Sequence, residues 1–230
     1  MDFANIGFMI SVWILPIIIA VTIHEAAHGW VAWRLGDRTA YMLGRVTFNP
    51  VKHIDPFGTL IMPGLMLLIS GGKMMFGYAK PVPIDMRNFR HIRRDMVLVA
   101  AAGPGSNILL AVLSALAFYA LPLLPQEVDV WVAHNLANSI RINIILCVFN
   151  LIPLPPLDGG RIAVGILPRP LAMRLASLER YGMLILLGMI FLVPYVGGLF
   201  GYNLNILWWL VGIPAEFLTE LIIQSVGITG

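Results

Sequence analysis

The chain has 230 residues, 59% of them hydrophobic and only 12% charged, with a formal net charge of +3 and a mean hydropathy of +0.85. A soluble domain carries about 25% charged residues, so this composition excludes a soluble globular protein and describes an integral membrane protein. The small positive charge does not point to nucleic acid, because membrane proteins concentrate Lys and Arg in cytoplasmic loops. One cysteine, Cys147, excludes an intramolecular disulfide and argues against a cysteine-ligated metal; in its apolar run it reads as a small packed hydrophobe.

The first span runs from Ile6 to about Leu35, long enough to cross a hydrocarbon core of roughly 30 Å, with Pro16 placed to kink it. No basic region precedes it, so no short cleavable signal peptide is apparent. Inside this span lies His24-Glu25-Ala26-Ala27-His28. Residues four apart share a helix face, so His24 and His28 can offer imidazole nitrogens to one metal ion, while Glu25 on the adjoining face can act as base toward a water molecule. Three ionisable groups within five residues of an apolar span are costly in lipid and mark a functional site; the competing reading is two satisfied core histidines beside a paired glutamate.

Gly36-Asp37 stops the helix, and Arg34, Arg38, Arg45 and Lys52 mark a basic loop with the turn-initiating pairs Asn49-Pro50 and Asp55-Pro56. Thr59 to Ser70 is apolar but short for a spanning helix and is broken by Pro63-Gly64, which predicts a re-entrant segment. Lys73 to Arg94 carries six basic residues, so both flanks of that segment belong on one side. Within it, Phe76 to Ile84 has the β-prone, proline-limited character of an edge strand or hairpin arm that could pair with an extended peptide.

Met96 to about Leu124 is the next span, and its Gly103-Pro104-Gly105-Ser106-Asn107 stretch lets a neighbouring helix approach closely. Gln126 to Trp131, acidic and without Lys or Arg, reads as an outside loop before Val132 to about Pro155 returns. Asn150 to Arg161 then breaks regular helix with three prolines and two glycines beside Asp158, an irregular backbone tolerated at membrane depth only where protein or a water-filled cavity surrounds it. A basic stretch from Arg161 to Arg180 precedes two more apolar runs, about Tyr181–Leu199 and Ile206–Ile223. The expected fold is an all-α polytopic membrane protein with about five transmembrane helices, the re-entrant segment and the short strand near the cytoplasmic side. It reads as one domain over 1–230, with a core over about 6–161 and C-terminal helices over about 177–224.

Of fifteen Lys and Arg, fourteen fall in Arg34–Lys52, Lys73–Arg94 and Arg161–Arg180; Arg141 is the exception. Placing those clusters in the cytoplasm puts the N-terminus outside and brings His24 and Asp158 to one depth. His24 precedes Arg34 by ten residues, about 15 Å along a helix, so the site is sunk below the cytoplasmic surface. A catalytic zinc takes three protein ligands and leaves a fourth position to water or substrate. Asp158 is the best third ligand, being the carboxylate expected at matching depth, although a turn or N-cap role before Gly159-Gly160 is open to it as well. His91 lies among Arg90, Arg93 and Arg94, His53 in a loop, and His134 on the outside half.

The His24-Glu25-Ala26-Ala27-His28 motif, the Gly103–Asn107 stretch and Asn150 through Asp158-Gly159-Gly160, in that order, resemble the site-2 protease family of intramembrane zinc metalloproteases, in its compact prokaryotic form. The resemblance covers most of Ile6 to Arg161. It implies one zinc ion held by His24, His28 and Asp158, Glu25 as general base, and Asn150 holding substrate or the developing oxyanion. It implies cleavage of transmembrane protein or peptide substrates in the lipid of a prokaryotic cytoplasmic membrane. The rival from another class is a non-catalytic zinc-binding membrane protein for sensing or transport, which would spread ionisable residues along a pathway. The sequence around Asp158, Pro155-Pro156-Leu157-Asp158-Gly159, departs from the family's bare Asn-Pro-Asp-Gly form but keeps the carboxylate and glycine.

Overall fold

The computed structural model describes residues 3–69 and 77–227, and among these every regular element is helical. In chain order the α-helices are α1 (Phe3–Arg34), α2 (Thr39–Met42), α3 (Met62–Ile69), α4 (Ile92–Ala117), α5 (Gln126–Asn150), α6 (Asp158–Ile166), α7 (Arg169–Ser177), α8 (Glu179–Leu187), α9 (Val193–Leu199) and α10 (Ile213–Val226). Five helical stretches are long and apolar enough to cross a membrane: Asn5–Arg34, Ile92–Leu123, Gln126–Asn150, Glu179–Leu199 and Trp208–Val226.

The packed faces are written in small and polar residues. Ala20, Ala32, Ala111 and Ala115 are fully buried, as are Asn107 and Asn143, while Met9, Ile10, Ile14 and Ile18 of α1 face outward. Lipid tails are as apolar as leucine, so large side chains gain little by turning inward, and small ones let backbones approach closely. The apolar core joins α4 and α5 to the last helix through Ala111, Ala115, Ile140, Ile144 and Ala215. The last two crossings each contain a π turn, Gly188–Leu192 and Trp208–Gly212. Pro194 and Pro214 follow directly, and a proline that cannot donate to the residue four back favours that looser turn.

At the end of α1, Arg34 lies over the rings of Trp30 and Trp33, and Trp33 stacks on Tyr41 at 4.6 Å. Asp37 then accepts from the N–H and hydroxyl of Thr39, the N–H of Asp85 at 2.8 Å and the Asn88 side chain at 2.9 Å. Burial pushes the Asp37 pKa up, but these hydrogen bonds outweigh it and hold the carboxyl below its ordinary value. Hydrogen bonds from Arg87 draw the neighbouring Asp85 down to about 2.

Two sequence expectations are revised. The predicted edge strand over 76–84 is not formed: Phe76 lies outside the described residues, and 77–84 is irregular chain with no strand partner among them. Pro81 and Pro83 have no N–H, so a continuous ladder is barred. The remaining groups bond to loops and side chains instead, Tyr78 N–H to Gly58 O, Lys80 N–H to His53 O, and Arg45 Nη2 to Lys80 O. The outside loop at Gln126–Trp131 is helical and forms the start of α5, with Glu127 and Asp129 in its first turn, where the helix dipole favours acids. Pro56–Ile61 forms a π turn leading into α3, and these fourteen residues reach about 21 Å, short of a full crossing of roughly 30 Å.

Candidate active site

α1 and α4 meet at the two histidines. His24 and His28, one turn apart and both buried, present Nε2 atoms 3.0 Å from each other, with their rings edge to face at 84°. On the far side of each ring Nδ1 is engaged: His28 Nδ1 donates to the Val99 carbonyl at 2.7 Å, and His24 Nδ1 to Asn107 Oδ1 at 2.6 Å. The direction of the second bond is set two residues away. The Ser139 carbonyl can only accept, so Asn143 Nδ2 donates to it at 2.9 Å; Asn143 Oδ1 then accepts from Asn107 Nδ2 at 2.8 Å, which leaves Asn107 Oδ1 as acceptor for His24. In the neutral form each imidazole therefore carries its proton on Nδ1, and the two Nε2 lone pairs turn toward each other.

Asp158 completes the cluster. It opens α6, and its Oδ2 lies 3.2 Å from His24 Nε2 and 3.3 Å from His28 Nε2, yet receives no hydrogen bond among the described residues. The irregular loop 151–157 delivers it there. A Cβ at Gly159 would meet the Leu151 carbonyl and one at Gly160 the Pro155 nitrogen, so only glycine lets α6 fold back onto its own loop. A Cβ at Gly182 of α8 would meet the Pro155 carbonyl, and one at Gly103 would meet Nε2 of both histidines. Gly103 thus keeps open the space in front of the cluster, beyond the helix packing expected for it.

Glu25 is half-buried, and its Oε2 accepts from Val82 N–H at 2.9 Å. In Pro81-Val82-Pro83 only Val82 has an N–H, and that donor goes to Glu25. Asn150, at the end of α5, bonds the Leu146 carbonyl of its own helix at 3.0 Å, with no hydrogen bond to the cluster among the described residues. The other histidines stand apart: His53 Nε2 bonds the Thr47 carbonyl, His91 precedes α4, and the His134 ring packs edge-on against Phe8. Cys147 is buried as a packed side chain.

Among the described residues His24, His28 and Asp158 form one group of donors able to hold a metal ion. Three lone-pair atoms with no proton between them repel one another unless a cation lies between. A tetrahedral zinc with bonds of about 2.0–2.1 Å spaces its ligand atoms about 3.3 Å apart, and two imidazoles with one carboxylate leave its fourth position open. The observed separations of 3.0, 3.2 and 3.3 Å fit that set.

The sequence profile of peptidase family M50 matches residues 126–193. The chain is 35% identical over 223 residues to the Bacillus subtilis protein named "Putative zinc metalloprotease YwhC", covering 90% of this chain and 89% of that protein. It belongs to peptidase family M50. The Mycobacterium tuberculosis protein named "Putative zinc metalloprotease Rip2" is 30% identical, covering 84% of this M50 chain and 70% of that protein. No solved structure gives a significant match. The site-2 protease resemblance read from the motifs is the same family.

Sequence reasoning missed Asn143, the Val99 carbonyl and the Val82 N–H. An asparagine inside an apolar span was signal enough for Asn143, since intramembrane polar groups seek partners across helices. Nothing in the sequence pairs a backbone N–H with a side chain 57 residues away.

Proposed function

We propose that this M50 peptidase is a zinc-dependent intramembrane endopeptidase in which His24, His28 and Asp158 hold one zinc ion per chain, Glu25 is the general base, and Asn150 steadies the substrate or the developing oxyanion. The observation that carries the reading is the convergence of two bare Nε2 atoms and an unbonded carboxylate oxygen one residue from Glu25. Bound zinc supplies Lewis-acid polarisation of the scissile carbonyl and a lowered pKa for water. Val82 N–H occupies Glu25 Oε2, which leaves Oε1 to take the proton of the attacking water and pass it to the leaving amine. The Nδ1 bonds to Asn107 and Val99 place a proton on Nδ1 of each ring, leave Nε2 as the ligand atom and fix both ring orientations.

The substrates are transmembrane proteins or their remnants in the lipid bilayer, and a helical substrate must unwind locally, because its carbonyls are otherwise hydrogen-bonded. The clustered basic residues favour an N-terminus outside and a site nearer the cytoplasmic face of a prokaryotic inner membrane. In that arrangement both basic flanks of the short apolar segment lie on the cytoplasmic side, so the segment is re-entrant, and the chain is one membrane-embedded domain. A single cluster among the described residues, at one depth and beside a base, favours hydrolysis over a metal-transport pathway.

The test compares Glu25→Gln with the parent in a reconstituted cleavage assay on a single-span membrane protein at matched zinc content. Cleavage should fall by at least about a hundredfold. Equal cleavage by both proteins would end the role given to Glu25.

A further inference from the structure

A cavity of about 440 Å³ opens off the site, with His28 in its wall. Its inner lining is apolar, Phe89 and Met96 among it, and its charged residues are Arg93, Arg161, Arg169 and Glu179. Three guanidinium groups against one carboxylate leave a net charge of +2 on this surface. Arg93 Nη2 is committed to the Leu167 carbonyl. Arg161 is half-buried and Arg169 exposed, and neither side chain has a hydrogen bond or ion pair among the described residues. These two cationic heads stand in the lining without an ionic partner among the described residues, and charge complementarity points to an anionic occupant.

The cavity shares His28 with the cluster, so the occupant that can reach both is a peptide held at the cluster. Resting on the peptidase reading above, we infer that the cavity receives the stretch of substrate flanking the scissile bond and selects acidic side chains there, with Arg161 and Arg169 as specificity residues. Membrane proteins commonly carry Lys and Arg beside their spans on the cytoplasmic side. A cavity with excess positive charge repels those flanks, so it rejects ordinary membrane proteins as well as attracting an acidic one.

The test uses full-length Glu25→Gln protein in phosphatidylcholine nanodiscs and two fluorescent synthetic peptides. Each has an apolar span with an Asn-Gly-Pro break, followed by Asp-Glu-Glu in one and Lys-Arg-Lys in the other. The acidic peptide should bind about 3- to 10-fold more tightly at low salt, and added salt should shrink the difference. Arg169→Gln alone should lower the preference, Arg161→Gln with Arg169→Gln should remove it, and Arg161→Glu with Arg169→Glu should reverse it, with zinc content measured for each. Equal affinity for the two peptides, no binding of either, or a preference that survives the double Gln variant would overturn the inference. So would loss of the preference when phosphatidylglycerol is added at constant ionic strength, since the cavity would then be a lipid site. Cleavage of both peptides at one rate by the parent would sink the inference and leave the peptidase reading standing. Selective binding with no cleavage by the zinc-loaded parent would do the opposite.

Discussion

Replacing Asn107 with leucine removes the acceptor that fixes the His24 tautomer without touching a candidate metal ligand. In the parent, three bonds in series, 2.6, 2.8 and 2.9 Å long, run from His24 Nδ1 through Asn107 and Asn143 to the Ser139 carbonyl. Without Asn107 Oδ1 the Nδ1 proton has no partner, the ring is free to turn, and the tautomer with its proton on Nε2 competes for the site. Loss of such a partner weakens metal binding by about 10- to 100-fold, or about 1.4–2.8 kcal/mol. Asn143 Oδ1 is orphaned by the same change, at a cost in stability of about 1–3 kcal/mol. Asn107→Asp keeps an acceptor facing His24 and separates the effects: zinc affinity should stay near that of the parent although the bond to Asn143 is perturbed. Chelator competition on detergent-solubilised protein gives the zinc Kd, and thermal unfolding of the zinc-free forms gives the stability. A zinc Kd for Asn107→Leu within threefold of the parent would refute the claim that this amide chain sets the histidine.

Gly103→Ala should abolish zinc binding at normal expression, because its Cβ meets both Nε2 atoms, while Gly105→Ala, with open space around it, should be neutral by metal analysis. Alanine at His24, His28 or Asp158 should remove most bound zinc, and alanine at His53, His91 or His134 should not. Asp37→Asn should destabilise by about 1.5–3 kcal/mol at neutral pH, as loss of charge-assisted hydrogen bonds does. Because the folded pKa of Asp37 is depressed, its contribution is present above the unfolded carboxylate range and is lost as pH falls through the folded value; melting curves of parent and variant should therefore converge in acid. An impermeant thiol reagent on intact cells should label a cysteine at Gln126 and not one at Arg90, in a chain with Cys147 replaced; the reverse pattern would invert the topology.

The spans and the histidine motif were legible because hydropathy and helical spacing are local properties, read within about twenty residues. Asp158 was legible at longer range only because depth in the membrane can be counted from the ends of spans. The segment 77–84 misled because a β-branched, proline-bearing stretch has the same composition whether it pairs with a strand or with scattered loop carbonyls. Burial was the least readable property: both Asn107 and the lipid-facing Leu109 sit in the same apolar run, and the side on which each falls is decided by a neighbouring helix.

Around Asp158 the chain packs backbone against backbone. Gly159 and Gly160 face the main chain of the loop before them, and Gly182 approaches it from α8, with the rings of Pro155 and Pro156 the side chains that also come close. Core contacts between side chains can be repaired when one partner grows and the other shrinks. Main-chain atoms cannot shrink, so damage at any of these three glycines has no compensating substitution across the contact. This corner of the protein should be closed to gradual change by paired substitution, and a search for suppressors of Gly160→Ala should recover reversion to glycine.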